Sequence, residues 1–152
     1  VAYCSQSDLE VTLGGAHILV QLLDKNGDGT ADSAMVTACL DRATAEIDSR
    51  IQVAVDLSAL SAPYPNQLIY KTADVAAYEA WKAGAEGQVI PDAVQSRYDD
   101  AINWATQVAT RRATLGVVPR PTSGQIVEQI DRNPIGATQH VPTFLSTRGP
   151  FW

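Results

Sequence analysis

Apolar residues recur at the three- and four-residue steps of amphipathic helices along the first three quarters of the chain, and the period is lost from Val117 onward. Ser5 and Ser7, followed by Asp8 and Glu10, read as a helix start, with the carboxylates near the positive end of the helix dipole. Gly14 and Gly15 end that short helix, and "AHILVQLL" makes a second one. From Asp32 or Ser33 to about Val55, the residues Val36, Leu40, Ala43, Ile47, Ile51 and Ala54 form one apolar stripe. Asp32 stands where this helix needs an N-cap, and Asp41, Asp48 and Gln52 fall opposite the stripe.

The segment "SALSAPYP", with Pro63 and Pro65, breaks the chain. A further helix is predicted from about Asn66 to Trp81. Its apolar residues Leu68, Ile69, Ala73, Val75, Ala76, Ala77, Ala80 and Trp81 cover most of its circumference, as suits a central helix. Glycine in "AGAEG" suits a left-handed cap for it. Pro91 opens the last long helix at its first turn, with Val94, Tyr98, Ala101, Ile102, Ala105 and Val108 as its buried face. Arg111 and Arg112 are placed in its last turn and Gly116 at its close. The sequence thus predicts an all-α protein: a bundle of four to five helices over residues 1–116 and an extended C-terminal arm over 117–152. The arm carries five of the eight prolines, yet is too apolar for a solvated tail.

The total of 152 residues is enough for one domain with a real core. Only 18% of residues are charged, which leaves apolar surface for a partner. The net charge of −6 argues against a protein that grips nucleic acid by its phosphates. No apolar run approaches the roughly twenty residues of a membrane span, and no signal peptide is expected. Cys39 lies on a helix pattern and is expected to pack as a small apolar residue in a reducing compartment; a disulfide to Cys4 is the alternative.

One stretch carries candidate chemistry. In "QLLDKNGDGTADSAM", Asp24, Asn26, Asp28, Thr30 and Asp32 alternate like the oxygen ligands of a calcium-binding loop, and Gly29 sits at its bend. The closing bidentate carboxylate is replaced by Met35, a thioether that a hard cation does not favour. The competing reading is a helix-to-helix turn whose Asx side chains bond the backbone, and Met35 favours it. No cofactor is called for, with calcium in this loop the one alternative. His17 and His140 lie far apart, His17 read as a partly buried surface residue. No nucleophile–base pair, serine elbow or phosphate loop is found, so no catalysis is expected. Glu46, Asp48, Asp99 and Asp100 read as solvated helix faces. Tyr64, Tyr70, Tyr78, Trp81 and Trp104 read as core or edge packing, since interleaved Lys and Arg are missing. Phe144, Leu145, Arg148, Phe151 and Trp152 in the arm have the composition of interface anchors.

Several stretches in order carry a resemblance: "VAYCSQSDL", "QLLDKNGDGTADSAMV", "RATAEIDSRI", "SRYDDAINWATQVATRRATLG" and "FLSTRGPFW". Together they resemble the Mu-like bacteriophage proteins that act as head–tail adaptors in the virion neck. The middle of the chain departs from that pattern, "LSALSAPYPNQ" being less proline-rich than the usual interhelical segment. The resemblance implies an all-helical adaptor that assembles with itself as a dodecameric ring beneath the portal protein. It would extend the DNA channel without binding DNA specifically, and would offer a docking surface to the tail, through a tail-completion, stopper or other neck protein. Location in the virion neck and assembly in the cytoplasm of the host bacterium follow, with no membrane involved. In such a ring, some of Asp41, Asp48, Asp99 and Asp100 are expected to face the channel and repel DNA phosphates. A different class stays open beside it: a monomeric, calcium-linked protein-interaction module built on the Asp-rich loop.

Overall fold

A computed structural model of the chain describes residues 2–84 and 89–115. Five helices follow in order: α1 (Gln6–Leu13), α2 (Ala16–Leu23), α3 (Ser33–Ile51), α4 (Asn66–Gly84) and α5 (Asp92–Ala109), with a short 3-10 turn at Leu57–Ala59. Among the described residues the fold is all-α. The contact pattern divides the chain into two units, Val1–Pro121 and Thr122–Trp152. The second unit, and with it the predicted arm, lies outside the described residues.

Local chemistry fixes where each helix begins and ends. Ser5 accepts the Asp8 N–H while the Asp8 carboxylate accepts the Ser5 N–H, a capping box that satisfies two otherwise orphaned donors. Gly14 takes the left-handed conformation (φ 93°) that closes α1, and the Gly15 N–H reaches back to the Glu10 carbonyl at 2.8 Å. The turn into α2 is therefore immediate, and α1 packs against it.

Besides α4, which runs on to Gly84 rather than ending near Trp81, three boundaries differ from the sequence reading. Helix α3 stops at Ile51, and residues 52–54 form a turn. Pro91 caps α5 from outside rather than occupying its first turn, and its carbonyl accepts the Val94 N–H. Helix α5 ends at Ala109, so Arg111 and Arg112 lie beyond it. Arg111 holds the left-handed conformation (φ 58°), and the Arg112 N–H bonds the Gln107 carbonyl at 2.8 Å. The reversal starts at Thr110 because this bond draws the chain back over the last turn. The proposed cap at Gly116 lies outside the described residues.

Helix α4 is the hub. It packs against α1, α2, α3 and α5, as its nearly continuous apolar circumference predicts. Its buried alanines (Ala73, Ala76, Ala77 and Ala80) let neighbours approach closely around Leu68 and Val75. The buried Thr72 hydroxyl donates to the Leu68 carbonyl one turn back, so it enters the core without an unmet donor. At its C-terminal end, a β-carbon on Gly84 would overlap the Leu22 backbone, within 2.8 Å of Cα. The α2–α4 contact depends on that missing side chain.

The stripe read on α3 is buried as predicted: Val36, Leu40, Ala43, Ile47 and Ile51 all belong to the core. Cys4 and Cys39 are buried, unpaired thiols. Burial pushes the Cys4 thiol up to about 12, which keeps it protonated and packed as a small apolar group.

Candidate interaction surfaces

The Asp-rich loop is tied together by its own side chains. The Asp24 carboxylate accepts the N–H groups of Gly27 and Gly29 at 2.6 and 2.9 Å, and both glycines have positive φ. Asn26 accepts the Asp28 N–H at 3.0 Å and donates to the carboxylates of Asp28 and Asp32. Asp28 accepts the Thr30 hydroxyl at 2.6 Å and the Thr30 N–H at 2.8 Å. Those bonds hold its carboxyl below the usual carboxylate range, the Thr30 hydroxyl contributing most. Asp32 is not the side-chain cap of α3; its carboxylate accepts the Lys25 N–H and an Asn26 amide hydrogen, closing the loop. Met35 packs against the core, so the position of a closing ligand is turned inward. Among the described residues, no three or more His, Cys, Asp or Glu side chains are grouped to hold a metal ion.

These contacts are those of an Asx-rich turn. Millimolar calcium should therefore move the melting temperature by less than about 1 °C, whereas a cation bound only by the folded state would raise it by several degrees. Thermal melts with and without the metal check this.

A second cluster joins α3, α4 and α5. On α4, Glu79 has a side chain only 8% exposed; it accepts from Lys82 at 2.7 Å and lies 3.9 Å from Arg42 of α3. One turn along α3, Glu46 accepts from Arg50 at 3.1 Å and from the Tyr98 hydroxyl of α5 at 2.8 Å. The rings of Tyr78 and Tyr98 stack with centroids 4.2 Å apart, and the Lys82 ammonium lies 5.6 Å from the Tyr78 centroid. Burial, reinforced by the bond to Glu46, pushes the Tyr98 phenol up to about 12. The bond to Glu79 raises Lys82 as well, so both stay protonated at neutral pH.

This cluster has an inside and an outside. Its carboxylates are turned inward, at 25% and 8% exposure, while Arg42, Lys82 and Arg50 are 67%, 51% and 37% exposed. The cations are thus the more exposed members of the cluster, each paired with one of its two carboxylates. The sequence reading treated Glu46 as part of a solvated face and did not single out Arg42, Arg50, Glu79 or Lys82. Two signals were present: the four-residue ladder Arg42, Glu46, Arg50, and a glutamate inside the apolar run "VAAYEAW" of the most buried helix.

The four acidic residues, some of which are expected to face a channel, divide by exposure. Asp41, Asp99 and Asp100 are exposed, Asp99 accepting a bond from Gln95 at 3.1 Å. Asp48 is half-buried instead, and its carboxylate accepts the Tyr3 hydroxyl. Tyr3 also sets its ring edge-on to Tyr64 at 5.0 Å, and its N–H donates to Thr44 at 3.3 Å. Asp48 thus fastens the N-terminal segment to α3. His17, read as partly buried, is exposed, and Tyr70 is exposed rather than packed. An apolar hollow of about 260 Å³ lies between Ala54 and Val55 after α3 and Val108, Ala113 and Leu115 at the end of α5. Phe144, Leu145, Arg148, Phe151 and Trp152 lie outside the described residues.

The class defined by these features is a small helical protein whose distinctive surfaces are polar and aromatic patches. Over residues 3–128 the chain matches the family described as "Bacteriophage Mu, Gp36", and it belongs to that family. No curated protein matches it. It is thus a member of a bacteriophage protein family, and no described helix is long and apolar enough to cross a membrane.

Proposed function

We propose that the protein is a structural part of the virion, a head–tail adaptor. Copies assemble as a dodecameric ring beneath the portal protein, extend the DNA channel, and present a docking surface to the tail or the next neck protein. The observation that carries this reading is the family match, which spans most of the chain. The fold supports it: a hub helix packed on four sides makes a stiff subunit suited to contact rather than conversion. Exposed Asp41, Asp99 and Asp100 suit a channel wall that repels phosphates at short range instead of holding them. Asp48, held by Tyr3, is left out of that set.

The arm supplies reach in this reading. Deleting residues 143–152, which belong to the second unit, should leave the melting temperature of the helical unit within about 2 °C of wild type. Phage carrying the deletion should accumulate filled heads and unattached tails. Truncated particles that infect as well as wild type contradict the role given to the arm.

A further inference from the structure

The apolar hollow lies where α3 and α5 both end, and two observations there point to one occupant. After α5 the chain reverses at Arg111 and returns over the last turn, the N–H groups of Arg112 and Ala113 both reaching the Gln107 carbonyl. Leu115, only 7% exposed, is thereby set into the wall of the hollow with Val55 and Val108. Val55 makes an isolated β-bridge, and no other described residue outside the helices carries the matching half. Its N–H is spent on the Ile51 carbonyl at 2.9 Å, so the bridge runs through the peptide groups on either side of it. Such a bridge takes an extended run of chain. Residues 85–88 lie too far off: they precede α5, whose first residue Asp92 is about 24 Å along the helix from Val108. The linker 89–91 covers at most about 14 Å of that distance.

We propose that the hollow is filled by the chain's own continuation, Val117–Val118, which runs extended past Val55 and pairs with it. The distance fits, since Leu115 already lines the hollow and two or three further residues span about 7–10 Å. So does the chemistry: β-branched side chains favour extended backbone, and an apolar hollow takes apolar side chains. Pro119 and Pro121, which have no N–H to give, end the pairing. Paired residues share a face and neighbouring ones point opposite ways, so the valine opposite Val55 enters the hollow and the other stays outside. The helical unit runs to Pro121 and the family match to residue 128, both past Leu115. This contact goes beyond the adaptor reading and does not depend on it: residues 117–121, the first five of the predicted arm, become part of the helical core.

Disulfide trapping in the full chain tests this, with Val55→Cys combined in turn with Val117→Cys, Val118→Cys and Phe151→Cys under mild oxidation. Residues paired across a bridge have Cα atoms about 4.5–5.5 Å apart, within the span of a disulfide. The native thiols Cys4 and Cys39 are buried, which keeps them out of the reaction. One of the two valine positions should give a bond within single chains, in preference to the other and to position 151. Replacing that same valine by aspartate should lower the melting temperature by about 5 °C or more, as burying an unpaired carboxylate does. Aspartate at the other valine should stay within about 2 °C of wild type. If the first aspartate variant does not fold, alanine at that position should still lower the melting temperature by a few degrees. Bonds that link two copies, bonds to position 151 in preference to either valine, or no bond at either valine overturn the proposal. So do two aspartate variants that both melt like wild type.

Discussion

Replacing Ile47 by alanine should destabilise the helical unit by about 2–5 kcal/mol, the cost of a buried Ile-to-Ala cavity. Ile47 has no accessible surface and sits at the middle of the α3 stripe, on a helix that packs against both α4 and α5. The loss combines the removed side chain's transfer energy with a void that close-packed helices fill only in part. For a unit of this size it should lower the melting temperature by about 10 °C or more. Asp41→Ala, on the exposed side of the same helix, should stay within about 0.5 kcal/mol of wild type. Urea titrations of the pair read the contrast directly. An Ile47 variant as stable as wild type would mean that the stripe is not the core.

Gly84→Ala should destabilise as well, by about 1–3 kcal/mol, although helix propensity points the other way. Alanine in a helix gains about 1 kcal/mol over glycine. Here the added methyl meets the Leu22 backbone rather than a flexible side chain, so α2 and α4 must move apart. A useful contrast is Gly27, where the space around a β-carbon is open and only the positive φ opposes substitution. Thermal melts should show Gly84→Ala below wild type. A rise in melting temperature would show that the two helices are not in contact there.

Much of this fold was legible because it follows from local rules. Helix α2 falls on "AHILVQLL", and the Ser5 start and the Gly14–Gly15 stop are where capping chemistry places them. The central position of α4 could be read from apolar residues on all its sides. Two misses share one cause: a side chain is assigned by its position on its own helix when a partner distant in sequence decides its place. Asp48 lies opposite the α3 stripe, but Tyr3, 45 positions earlier, bonds it and encloses it. Glu46 is drawn inward by Tyr98, 52 positions later. Asp32 suits an N-cap by type, yet the loop before it offers the Lys25 N–H and the Asn26 amide, and these take its carboxylate.

The candidate surfaces were therefore only half visible. Composition could show that the chain is acidic, with a net charge of −6. It could not show that Glu46 and Glu79 would turn inward and leave Arg42, Arg50 and Lys82 facing solvent. That separation of charge exists only once α3, α4 and α5 have packed.

Imaging of intact phage particles tests the central claim most directly. Electron cryomicroscopy of the neck should show helical density of this chain repeated in a ring between portal and tail. Particles complete and infectious without it, or carrying it at some other site, would contradict the account.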